Sequence, residues 1–282
     1  MTSVEMPARH PAPGRIVDLG DVRLWVDDQG EGDPLLLLGG FSAGHFIWDF
    51  VRPHLDGYRT ITLEPRGLGL SDHSAPPYSE QVWADDVAAL LGRLEIERTH
   101  VWATGFGNYY AIRFVAQHPD QVLRFVAYTD VWAGDPSKGY AAIWNVYRAS
   151  VESFGTTGYG AHLLSRLFEV PWLPWFPAWE AENIEQVLHP ETVEATVGFG
   201  LTQADVRRDL RHVAVPTLVL QGDHGWDGKP FRLEDDHSLA LMREQVADLR
   251  VTVIPDSHPA YVIAHKPQEC ADIVRAFLDD AG

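Results

Sequence analysis

The chain has 282 residues, 45% of them hydrophobic and 22% charged, enough apolar content to bury a large core in one α/β domain. Forty acidic against 22 basic residues leave a net charge of −18, and with no Lys/Arg cluster to offset it this excludes a nucleic-acid partner. A single cysteine excludes an intrachain disulfide, and no run of about 18 apolar residues predicts a membrane span.

The first fourteen residues are Pro-rich and polar, without the apolar stretch of a signal peptide, and predict a mobile tail on a cytoplasmic protein. RIVDLG (15–20) and VRLWVDD (22–28) then read as two strands joined by a short turn into an antiparallel hairpin. The next six strand-like runs are PLLLLGG (34–40), YRTITLEP (58–65), THVWAT (99–104), RFVAYT (124–129), PTLVLQG (216–222) and LRVTVIP (249–255). They are nearly all apolar, which fits a parallel sheet covered on both faces. Helical patterns fall between them at 79–94, 106–118, 238–249 and 267–280. The alternation predicts a doubly wound α/β core made of 15–133 and 213–282, with one inverted strand near the N-terminus.

Between 134 and 212 this rhythm breaks. The segment contains PWLPWFPAWE (171–180), where prolines alternate with aromatics, and it predicts a helical cap over the carboxyl ends of the strands. Its aromatic residues either pack cap against core or wall a pocket.

The stretch ATGFGNYYA (103–111) sits between a strand and a helix, the setting of a G-x-S-x-G nucleophile elbow, yet it holds two glycines and no serine, cysteine or aspartate. Around it, LLLLGGFSAGHFIWDF (35–50), LEPRGLGLSD (63–72), AIRFVAQHPDQV (111–122) and PTLVLQGDHGWD (216–227) occur in that order. Together these segments resemble the α/β-hydrolase superfamily over about residues 15–280. The resemblance implies the α/β-hydrolase fold, an eight-stranded, mostly parallel sheet with a helical cap at 134–212. Function does not follow from that fold.

Carried over residue by residue, the resemblance puts Gly105 at the nucleophile position, or Phe106 if the alignment slips by one. Neither side chain can attack. The acid expected after the seventh strand falls on Gly225, with Asp223 and Asp227 nearby. Asp130, just past the sixth strand, is the better candidate, against a turn or helix-cap role. PDSHPAYVIAHKP (255–267) offers His258 as the histidine, in a turn one residue short, and otherwise it is a loop histidine. The backbone N–H groups of Phe41 and Phe106 would form the oxyanion hole, unless GGFSAG is merely a flexible turn. Position at strand ends or in the cap names Gly40, Phe41, Phe106, Tyr109, Trp132, Trp172, Trp175, Trp179 and Trp226 as pocket wall.

No histidine pair has zinc spacing and no phosphate loop or dinucleotide motif is present, so neither a metal nor a cofactor is expected. A chain without a nucleophile retains proton transfer. The missing nucleophile and the retained cap resemble the peptide aspartate epimerases of the bottromycin type, atypical members of the superfamily. The reading is a cofactor-free epimerase or isomerase acting on a small molecule or modified peptide of natural-product biosynthesis. The alternatives are a hydrolase or lyase using activated water, and a binding protein without turnover.

Overall fold

The computed structural model of the chain describes residues 6, 13–166, 173–224, 230, 232–257 and 261–280. Its framework is an eight-stranded sheet. The strands are β1 (Arg15–Asp18), β2 (Arg23–Gln29), β3 (Asp33–Leu38), β4 (Tyr58–Leu63), β5 (Thr99–Ala103), β6 (Val122–Ala127), β7 (Thr217–Gly222) and β8 (Leu249–Ile254). Their spatial order is β1-β2-β4-β3-β5-β6-β7-β8. β2 pairs antiparallel with both β1 and β4, and every later pairing is parallel, so β2 is the inverted strand.

Burial explains the apolar runs. Leu35 to Leu38 are wholly inaccessible, as is every residue of β5 to within a few per cent, because helices cover both faces of the parallel strands. α1 (Glu80–Arg93) is capped by Ser79, whose side chain accepts the Val82 N–H, and it buries Trp83, Val87, Leu90 and Leu91 at helical spacing. α2 (Gly107–Gln117) packs against α1 on the same side.

Among the described residues, four α-helices lie between β6 and β7: α3 (Tyr140–Phe154), α4 (Tyr159–Ser165), α5 (Phe176–Val187) and α6 (Pro190–Thr202). α6 lies directly on the loops that follow β3 and β5. A Cβ added to Gly200 would come within 2.2 Å of the Phe106 ring and 2.8 Å of the Phe41 ring, so only glycine permits this approach. The chain closes with α7 (His237–Gln245), α8 (Val262–His265) and α9 (Pro267–Leu278). Cys270 is buried in α9, where burial pushes its thiol up, as expected of a packing residue. Among the described residues no helix is long and apolar enough to cross a membrane.

Candidate active site

β5 is flanked by β3 and β6, so the turn after β5 stands between the loops that leave its two neighbours. In that turn Gly105 has φ +50, the left-handed conformation that side chains adopt only with strain, and a Cβ built on it would meet nothing within 4 Å. A left-handed turn of the kind an elbow uses is therefore present at a residue that carries no side chain. Asn108, wholly buried in the first turn of α2, fixes the far wall. Its amide donates to the carbonyls of Tyr128 (2.7 Å) and Asp130 (2.8 Å), and its oxygen accepts the Tyr128 N–H at 3.0 Å. These bonds hold the residues after β6 against the elbow.

A cavity of about 90 Å³ opens above Gly105. Of the residues singled out in the sequence, Gly40, Phe41, Gly105, Phe106, Tyr109 and Asp130 line it. The two Phe rings lie 4.5 Å apart and form a wall beneath α6. Neither the Phe41 nor the Phe106 N–H has an acceptor among the described residues. Asp130 is buried and its carboxylate accepts from the Tyr140 hydroxyl. Burial raises its pKa to about 6. The charge of Lys138 and the Tyr140 hydrogen bond pull the other way without cancelling the effect, and Asp236 and Asp135 add to the rise. Tyr109 keeps its hydroxyl buried with no hydrogen-bond partner among the described residues, and desolvation aided by the nearby Asp130 holds its pKa well above the usual value.

The three tryptophan wall assignments that fall on described residues are corrected. Trp175 and Trp179 do not wall the cavity; both rings pack on Phe50, at 5.4 and 5.0 Å, and join α5 to the 3-10 turn after β3. Trp132 is likewise elsewhere, under the Arg207 guanidinium at 4.7 Å and bridged to Asp205. Asp223, offered as a substitute acid, contacts His224 Nδ1 at 2.6 Å and accepts the Ser257 N–H at 3.2 Å. His258, Trp172 and Trp226, together with Asp227, lie outside the described residues.

The cavity also contains residues that the sequence reading missed. Tyr140, Ile143 and Tyr147 reach it from α3, Gly200 and Leu201 from α6, Ser42 and Ile47 from the chain after β3, and Tyr261 from just before α8. Tyr140, Ile143 and Tyr147 sit at i, i+3 and i+7, a signal that marks one helix face but not what the face meets. Behind Ser42 stands Glu180 of α5, with none of its surface exposed. Desolvation raises its pKa to about 7, and the Ser42 hydroxyl is near enough to oppose that rise. Neither Glu180 oxygen has a well-formed hydrogen bond among the described residues.

The fold also draws together three groups for which sequence spacing offers no metal site. His73 and His189 both donate from Nε2 to the Gly69 carbonyl, at 3.0 and 2.9 Å, and His73 Nδ1 lies 3.4 Å from Glu191. Ligand atoms of the three residues lie within 4.8 Å of one another, away from the cavity, where they tie the loop after β4 to the start of α6.

Comparison with known proteins agrees with this fold. Residues 33–261 match the family model described as alpha/beta hydrolase fold. The AB hydrolase superfamily protein YisY of Bacillus subtilis is 27% identical, over 71% of this chain and 77% of its own. A fluoroacetate dehalogenase from Burkholderia sp is also 27% identical, over 95% of this chain and 94% of its own. Among solved structures, bromoperoxidase from Bacillus anthracis superposes with a TM-score of 0.79 at 18% identity, covering 95% of this chain and all of the other.

Proposed function

The chain belongs to the α/β-hydrolase fold family, and from that premise we propose that it is a cofactor-independent epimerase, moving a proton at an acidic α-carbon without a covalent intermediate. The observation that carries this reading is Gly105: an elbow in its strained conformation, open above, with no side chain to attack and with the buried carboxylate of Asp130 beside the same space. Asp130, ionised above about pH 6, removes the proton. The electron pair moves onto the adjoining carbonyl, and the N–H groups of Phe41 and Phe106 hold the resulting enolate oxygen. Such preorganised donors stabilise developing charge by about 3 kcal/mol each. Tyr109, with a hydroxyl that still needs an acceptor, supplies a further hydrogen bond to the substrate. The sequence makes His258 the expected base, with a carboxylate of the substrate as the other possibility; His258 lies outside the described residues.

The cavity is apolar and admits a residue-sized group, which suits one residue of a modified peptide, the substrate class proposed here. The net charge of −18 disfavours polyanionic substrates. The test is incubation of an N-acetyl-L-phenylalanine thioester, whose α-hydrogen is acidic, in heavy water. Solvent deuterium at the α-carbon with the thioester intact supports the reading. Hydrolysis without exchange would instead favour water activated by Asp130, the second reading. Binding with neither reaction would identify a ligand-holding protein.

A further inference from the structure

We propose that Ser42 and Glu180 form a second acid–base station in the cavity, serving the face of the substrate opposite Asp130; this rests on the epimerase reading. Inversion at carbon needs a proton removed from one face and another delivered to the other. The sheet order supplies two such approaches. β3 and β6 lie on opposite sides of β5, so at about 4.8 Å per strand their ends stand about 10 Å apart. Ser42 follows β3 and Asp130 follows β6, and both line the cavity above Gly105. The two groups thus enter from opposite flanks of the elbow.

Ser42 alone is a poor proton donor, but Glu180 stands behind it. The groups facing Glu180 are the Ser42 hydroxyl from the loop after β3, the Tyr147 phenol from α3 and the Tyr261 phenol from the residue before α8. α4, which packs along α5, carries one titratable histidine, His162, and it is exposed. The 3-10 turn that packs on α5 carries His45, which is bound to Glu64, and Asp49, which is 3.4 Å from Arg52. Desolvation is the largest influence on Glu180, and no cation among the described residues contributes to its shift. A carboxyl in such a place stays largely neutral below about pH 7 and can donate.

The step balances as follows. Asp130 takes the α-proton as the C–H bond breaks, and the electron pair forms the enolate. The enolate carbon then takes the Ser42 hydroxyl proton on its other face, and Ser42 takes the Glu180 proton. Asp130 ends neutral and Glu180 ends ionised, and exchange with solvent resets both. Ser42 is the catalytic residue of this station and Glu180 acts through it.

The experiment uses the whole protein and the N-acetyl-L-phenylalanine thioester in heavy water, with inversion read by chiral chromatography and exchange by mass. The wild type inverts. Glu180→Gln and Ser42→Ala are expected to lose inversion by at least about 100-fold while Asp130-dependent exchange continues with retention, and Glu180→Asp is expected to recover part of the inversion. Without any substrate, infrared titration of the Glu180 carboxyl, taken as wild type minus Glu180→Gln, is expected to move to higher pH in Ser42→Ala, which has lost the hydroxyl that favours the carboxylate. Full inversion by Glu180→Gln, equal loss of exchange and inversion, or a Glu180 titration blind to Ser42→Ala overturns the relay and leaves the epimerase reading standing. No exchange in the wild type overturns both.

Discussion

Glu180→Gln provides a measurement that needs no substrate. The carboxyl has no exposed surface, and its pKa is raised from 4.5 to about 7 chiefly by burial. A rise of that size corresponds to about 3 kcal/mol of native-state preference for the neutral form. In the unfolded chain the group titrates near 4.5, so between that pH and about 7 the native state binds more protons than the unfolded state. Stability from this group is therefore complete below about pH 4.5 and declines as pH rises through about 7. Glutamine has nearly the same shape and no charge to desolvate. Urea unfolding at pH 5 and pH 8 checks the point. The variant should match the wild type to about 1 kcal/mol at pH 5 and exceed it by up to about 3 kcal/mol at pH 8. Asp130 slopes in the same direction but is common to both proteins, so it cancels in the difference. An equal stability difference at the two pH values would refute the desolvation argument.

Asp130→Asn should fold and lose α-carbon exchange by about 100- to 10,000-fold, measured by mass in heavy water. Tyr140→Phe removes a hydrogen bond that favours the Asp130 carboxylate, so the acid limb of the exchange profile should move above about pH 6; an unmoved limb would assign that limb to another group. Gly105→Ser should cost about 1–2 kcal/mol through its φ of +50, read as a lower urea midpoint, and show no burst of ester hydrolysis, because no histidine among the described residues lines the cavity. Gly200→Ala drives a methyl into the Phe41 and Phe106 rings and should destabilise the protein by about 1–3 kcal/mol, checked by the same unfolding assay.

The fold was legible because its strands are long apolar runs with few competing interpretations, as in LLLL at 35–38. The elbow was legible too, since a strand, two glycines and a helix dictate a local shape. The distribution of aromatics was not. Trp175 and Trp179 occupy the segment expected to wall the pocket, yet the rotation of α5 turns them onto Phe50 and leaves Glu180 wholly inside. An acid in WEAENIEQV reads as a solvated helix face, and only the packing of α5 on its neighbours makes it a buried one. Tyr140 and Tyr147 show the same limit: their spacing gives a face of α3, while the cavity beneath that face comes from β3, β5 and β6.

The chain leaves the sheet for its helical insertion at the point where Asp130 stands, and the first inserted helix returns Tyr140 to that carboxylate. Helix and carboxylate are therefore one mechanical unit. Lifting α3 away from the strand ends would strip Asp130 of its tyrosine and admit water, letting its proton affinity fall toward that of an ordinary aspartate near 3.8; reseating the helix restores the value near 6. The carboxylate is a weak base while the site is open to solvent and a stronger one once it is sealed. On the proposed reading, such a closure would set the time at which a proton can be taken and would form the carbanion only where water cannot reach it.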